Sequence, residues 1–191
     1  MVSPARLYRA TVGTAIPADT LAAGGVWPAG WTAVGYTKTP LTVEYSFEAL
    51  MYDIQESLNP VGARKIKETL RLETTLAEMS LSAVAQSWGG TVSTTAAGAG
   101  QPGKEELTGG GSATILRYAY GFEGTYEDSS QVVRPVRFFI WIGQAESGGT
   151  LEFGKADYVG IPLKIVAMAD MAKPVGQQLY LWQRITAAAT S

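Results

Sequence analysis

From Leu41 the chain alternates. Leu41, Val43, Tyr45, Phe47 and Ala49 take one side, and Thr42, Glu44, Ser46 and Glu48 the other. Successive side chains on an extended backbone point in opposite directions, so a period of two marks a strand with one buried face. Near Leu50 the phase slips: Leu50, Tyr52 and Ile54 become the apolar set, opposite Met51, Asp53 and Gln55. A β-bulge at that point accounts for the slip. SLNPVGA (57–63) then reverses the chain. On the return arm Ile66, Leu70, Leu72, Thr74 and Leu76 face one way, and Lys65, Lys67, Thr69, Arg71 and Glu73 the other. Glu68 interrupts the apolar side, so that part of the hairpin is expected outside a dry core. The pattern predicts a long protruding β-hairpin over about 41–75.

The two arms differ in charge. Residues 41–58 carry Glu44, Glu48, Asp53 and Glu56 and no base, a charge of −4. Residues 59–74 carry Arg64, Lys65, Lys67 and Arg71 against Glu68 and Glu73, a charge of +2. As a solvated ribbon, such an arrangement gains on the order of a few tenths of a kcal/mol per facing pair. An isolated two-stranded ribbon is marginal in water, and its edges are open to pairing. Copies standing side by side would bring the acidic edge of one against the basic edge of the next. That contact is head-to-tail, and it closes into a ring or continues as a filament.

The rest of the chain reads as mainly β. Strands are expected at 5–12 (ARLYRATV), in WTAVGYT, over 113–126 and 132–143 as a hairpin across EDSS, briefly at LEF, and at 161–169 and 178–185. One helix is expected at about 80–88, with Leu81, Val84, Ala85 and Trp88 on one face. Ser80 can cap it, and Thr75 with Glu78 forms an alternative capping box. Gly89-Gly90 is expected to end it with an αL cap. Residues 89–112 hold eight glycines among small polar residues and read as a loop, with at most a short strand at KEEL. One helix among about eight strands predicts a β-sandwich or partly open barrel with a flanking helix.

Composition removes several functions. The 191 residues fit one domain, and the net charge of −2 gives no basic field to hold nucleic acid. Cysteine is absent, which excludes disulfides, thiol nucleophiles and thiolate metal sites, and histidine is absent as well. Without His there is no Ser-His or Cys-His triad and no commonest metal ligand. The start, MVSPARLYRATVG, has no apolar signal core, and no run approaches the roughly 20 apolar residues of a membrane span. GAGQPGKE (98–105) matches a phosphate-loop spacing, but Glu105 stands where a hydroxyl belongs. Glu105-Glu106 and Glu127-Asp128 fall in expected turns. Trp88, Trp141 and Trp182 lie in strong helix and strand patterns and read as core or interface. No catalytic residue, metal or cofactor is expected.

Residues 30–90 resemble the tail tube, or major tail, proteins of long-tailed bacteriophages. The likeness lies in parts taken in order: a Gly-Trp-Thr…Gly-Tyr-Thr lead-in (30–37), a strand with Tyr45 and Glu48, and an acidic YDIQES (52–57) before Pro60. A return strand KETLRLETTLAEMSL (67–81) then leads into a short helix and Gly89, and YGFEGTY and ADYVGIPLKIVAMAD look like late strands of such proteins. The resemblance implies a single tail-tube domain over 1–191, related to contractile-tail and type VI secretion tubes. It implies hexameric rings stacked on a tape-measure protein, with the hairpins joined into one closed β-barrel. Phage DNA passes down the lumen without specific binding. Tail terminator and distal tail proteins would be further partners, and the protein would be made in the host bacterial cytoplasm and end in the virion. Along the channel wall Glu44, Glu48, Asp53 and Glu56 are expected to pair with Lys65, Lys67 and Arg71, within or between subunits, with Glu73 on the same wall. The rivals are another ring-forming tail protein and, from a different class, a carbohydrate-binding β-sandwich with a Trp platform. A carboxylate enzyme is weaker for want of a convincing acid pair.

Overall fold

The computed structural model describes residues 6–18, 27–53, 55, 58–77, 80–146, 148, 150–151 and 160–187. Ile54, Glu56, Glu78, most of the strand expected at LEF and residues 156–159 lie outside them. In chain order come β1 (Arg6–Ala10), β2 (Thr32–Gly35), β3 (Thr42–Tyr52), β4 (Gly62–Leu76), α1 (Leu81–Trp88), β5 (Thr91–Thr95), β6 (Lys104–Thr108), β7 (Arg117–Glu127), β8 (Val133–Ala145), β9 (Ile161–Met168) and β10 (Tyr180–Arg184).

The main sheet runs β2-β1-β7-β8-β9-β4-β3, with β10 also on β8. β8 is where the sheet turns over. One edge pairs with β7 along its length, while the other gives Val136–Ile140 to β10 and Ile142–Ala145 to β9. Two layers result, β2-β1-β7-β8-β10 and β9-β4-β3, joined at the end of β8. At that junction Gly143 is required, since a Cβ there would lie 2.7 Å from Tyr120 and 2.8 Å from Ile165. Between the layers Leu7, Tyr120 and Ile140 meet Leu70, Leu72, Leu76, Ile161, Leu163 and Ile165. Each such side chain contributes roughly 1.5–3 kcal/mol by leaving water. The architecture is a mainly β, partly open sandwich with one flanking helix.

A second cluster covers the outer face of β1-β7-β8. Ala10, Trp31, Ala119 and Phe139 are buried there, joined by Tyr8, Ile16, Trp27 and Leu181. Trp27 stacks on Tyr8 with ring centroids 3.9 Å apart, and a Cβ on Gly121 would approach its indole to 2.6 Å.

Three expectations are corrected. Residues 89–112 are not a loop: β5 and β6 pair from Thr91↔Thr108 to Thr95↔Lys104, and a Gly98–Gln101 bridge closes the far end. The β-branched run TVSTT sustains a ribbon without deep burial, because only Val92 and its partner Leu107 need an apolar contact, and Leu107 packs on the main core. The helix buries Ala83, Val84, Gln86 and Ser87 rather than the Leu81–Val84–Ala85–Trp88 face, and Trp88 stays 53% exposed. Small residues let α1 approach β9 closely enough for the Ser87 hydroxyl to donate to the Pro162 carbonyl at 2.6 Å. Ser80 caps the helix, accepting from the Ala83 amide at 3.2 Å, and Gly89 ends it with φ +82 but an extended ψ instead of an αL turn.

Candidate functional site

The long hairpin is formed by β3 and β4, and it stands at the end of the sheet. β3 has β4 on one side and, among the described residues, no strand on the other. Among the described residues β4 has β9 beside it from Arg71 to Leu76, and over 62–70 it too has one open edge. The alternation that builds the hairpin therefore outruns the core that explains it. Leu70, Leu72 and Leu76 are buried, whereas Tyr45, Phe47, Leu50, Met51 and Tyr52 are each 42–55% exposed. In a lone chain this is an uncovered apolar surface next to two unpaired strand edges.

The phase slip is real but lies on the opposite arm. Glu48 pairs with Lys67 and Ala49 with Lys65, so the extra residue is Ile66 of β4 and β3 runs regularly through Leu50. Leu50 and Tyr52 thus stay on the charged side with Arg64 and Gly62 as partners. Lys65, expected beside Lys67, Arg71 and Glu73, moves to the other face. There its ammonium donates to Glu68 at 2.8 Å and to the Tyr45 hydroxyl at 2.9 Å, and lies 4.9 Å from the Phe47 ring centre. Those hydrogen bonds, Glu68 first, raise the Lys65 pKa above the ordinary lysine value. The same bond to Lys65 holds the Glu68 carboxyl below the ordinary carboxylate range.

On the charged face the register sets Thr42 opposite Glu73, Glu44 opposite Arg71 and Glu48 opposite Lys67. Lys67 meets Glu48 at 3.0 Å. Arg71 turns away from Glu44 and forks onto both carboxylate oxygens of Glu146, at 2.8 and 2.9 Å. Glu73 is held by Lys164 of β9 at 2.9 Å. Glu44 and Asp53 have no ion pair among the described residues, and Glu56 lies outside them. Glu146 and Lys164 were missed by sequence reasoning. Lys164 carried a weak signal, as the one charge at an outward position of IPLKIVAM; Glu146 carried none. These pairs are exposed, so each adds at most about 1 kcal/mol to stability.

The other motifs resolve into structure. The phosphate-loop match forms the turn of β5–β6, and Lys104 opens β6 and binds Glu106 at 2.9 Å. Asp128 anchors the β7–β8 turn, accepting from the Ser130 and Val132 amides and from Arg134 at 2.8–3.0 Å. Its carboxyl is held below the ordinary range, chiefly by Arg134. Of the tryptophans, Trp31 is 9% exposed and Trp27 is stacked, whereas Trp88 and Trp182 are 53% and 64% exposed, so the core reading fails for the latter two. Trp182 sits on β10, which pairs with β8, and packs edge-on to Phe138. No cluster among the described residues could hold a metal, and no described helix is long and apolar enough to cross a membrane.

Among the described residues, what the hairpin offers is open strand edges and exposed apolar side chains. No curated protein matches the chain. A family model described as phage tail tube protein matches residues 2–186, nearly the whole length. The chain accordingly belongs to the phage tail tube protein family.

Proposed function

We propose that copies of this chain join head to tail into hexameric rings, that the rings stack into a hollow tail tube, and that phage DNA travels down its lumen into the host. The chain is a structural part of the virion and acts over 1–191 as one tube domain, with no chemical step. Its assembly partners are further copies of itself, the tape-measure protein within, and the tail terminator and distal tail proteins at the ends. Synthesis takes place in the bacterial cytoplasm.

The observation that carries this reading is the pair of open edges on one hairpin. The free edge of β3 and the free edge of β4 over 62–70 are different surfaces on opposite sides of the ribbon. Joining β3 of one copy to β4 of the next satisfies both at every step, and a closed ring leaves neither exposed. The charges agree, since β3 carries Glu44 and Glu48 while β4 over 62–70 carries Arg64, Lys65 and Lys67 against Glu68. The same junction would cover Phe47 and Met51.

Electron microscopy of the concentrated pure protein tests the proposal. Long tubes of uniform bore are expected. Single closed rings that never stack would favour a terminator or distal tail protein, and monomers at every concentration would overturn it.

A further inference from the structure

The two layers of the sandwich outrun the core between them. On β8, Phe138 and Ile140 face the core, so their register partners on β10, Trp182 and Tyr180, face it too. On β4, Leu70 and Leu72 face the core, and Tyr45 and Phe47 of β3 share their side. Yet Tyr45 and Tyr180 are each 42% exposed, Phe47 is 54% and Trp182 64% exposed. These inward-facing aromatics form one row across the open end, from Phe47 through Tyr45, Tyr180 and Phe138 to Trp182, with successive ring centres 5.5–6.5 Å apart. The row borders a groove of about 580 Å³. Tyr45, Lys65 and Glu68 lie along one wall, residues 178–180 along the other, and 167–169 close one end. β9 leaves β4 just before that end, since Val166 is paired with Arg71. The groove therefore starts where, among the described residues, the open edge of β4 starts.

Resting on the tube reading, we infer that this groove receives β3 of the neighbouring copy, and that Tyr180 and Trp182 of β10 clamp it there. In a ring every copy's β3 points the same way along the axis, antiparallel to β4, as β9 already is. A neighbour's β3 laid on the open edge of β4 thus continues the line of β9. Rotation about the axis does not turn a strand over, so the neighbour's Phe47 and Met51 come to the side of Leu70, facing β10. Both are more than half exposed in the single chain, at 54% and 55%. β10 meets them with Tyr180 and Trp182, and aromatic rings pack favourably edge-on or offset. Lys65 is held beforehand by Glu68 at 2.8 Å, so docking does not strand its charge. Each sandwich is completed by a strand of the next copy.

Cross-linking tests the placement. The chain contains no cysteine, so Ala49→Cys, between Phe47 and Met51, and Ala169→Cys, at the groove, can be made in separate chains. Tubes grown from the mixture and treated with a bifunctional maleimide that spans the groove should give dimers on denaturing gels, and tubes of either variant alone should not. A chain with both substitutions should give a ladder that ends at the number of chains in one ring. Mixed tubes without dimers, dimers from either variant alone, or a ladder running past one ring overturn the assignment. Trp182→Ala tests the clamp. The single chain should keep its circular dichroism and melting temperature, because this side chain is mostly in water, while the protein concentration needed for tubes should rise by about tenfold or more. Trp182→Phe should recover most of that loss. Folded Trp182→Ala chains that assemble at the wild-type concentration overturn the clamp and leave the tube reading standing. Wild-type protein that forms no tubes under electron microscopy overturns the tube reading itself.

Discussion

β3–β4 and β7–β8 are hairpins of similar size, with strands of 11 and 15 residues in one and 11 and 13 in the other. Each carries an ion pair between directly facing residues, Glu48–Lys67 at 3.0 Å and Glu123–Arg137 at 2.8 Å. The side chains of the first pair are 62–64% exposed, and those of the second 2–3%. What differs is the supply of neighbours. β7 lies against β1, and β8 against β10 and β9, with the core on one face and the Trp27–Trp31 cluster on the other. Among the described residues the outer half of β3–β4 has no such cover. A hairpin's own chemistry thus leaves its role open; the rest of the chain decides whether it becomes a core element or a surface waiting for another molecule. On the tube reading, the neighbours missing from β3–β4 are sister copies.

The comparison breaks most easily at the ion pairs. Arg137→Met would remove the guanidinium that now donates to Glu123 in a dry site and take a donor from the Ala18 carbonyl, which Arg137 meets at 2.8 Å. A loss of about 3–5 kcal/mol is expected in urea unfolding. Lys67→Met should cost less than about 1 kcal/mol, and equal costs would dissolve the distinction. Within β3–β4 itself, Leu72→Ala at the buried root should cost about 2–5 kcal/mol. Phe47→Ala, 54% exposed, should stay within about 0.5 kcal/mol for the single chain yet shorten or abolish tubes. A Lys67→Glu, Arg71→Glu double variant should leave the chain folded and prevent tube growth; tubes of normal length would count against a part for these two cations in joining copies.

The smallest effect is in pH. Asp128 in the β7–β8 turn and Glu68 in β4 both have carboxyl pKa values lowered by their cationic partners. A carboxyl lowered in the folded state stabilises the fold above about pH 4 and loses that contribution as pH falls through the lowered value. Asp128→Asn and Glu68→Gln should each flatten the fall of stability below about pH 4 in acid urea melts. An unchanged slope in both would show that neither turn nor hairpin depends on its held carboxylate.

Much of this molecule was legible in its sequence. The alternations at 41–48 and 67–76 marked which residues share a face, because side-chain direction on an extended backbone is a local property. The opposite charge of the arms and the Ser80 cap were equally local. The phase slip was visible too, but an extra residue in either arm produces the same mismatch between apolar sets. Only the pairing of Glu48 with Lys67 and of Ala49 with Lys65 assigns it to Ile66 and sends Lys65 across to Tyr45. Arg71 and Glu146 are 75 residues apart in the chain, and nothing in either neighbourhood points to the other. Their meeting, like the open edges of β3 and β4, follows from strand order. That order is decided when all the apolar faces are buried together, a condition on the whole chain that no short stretch contains.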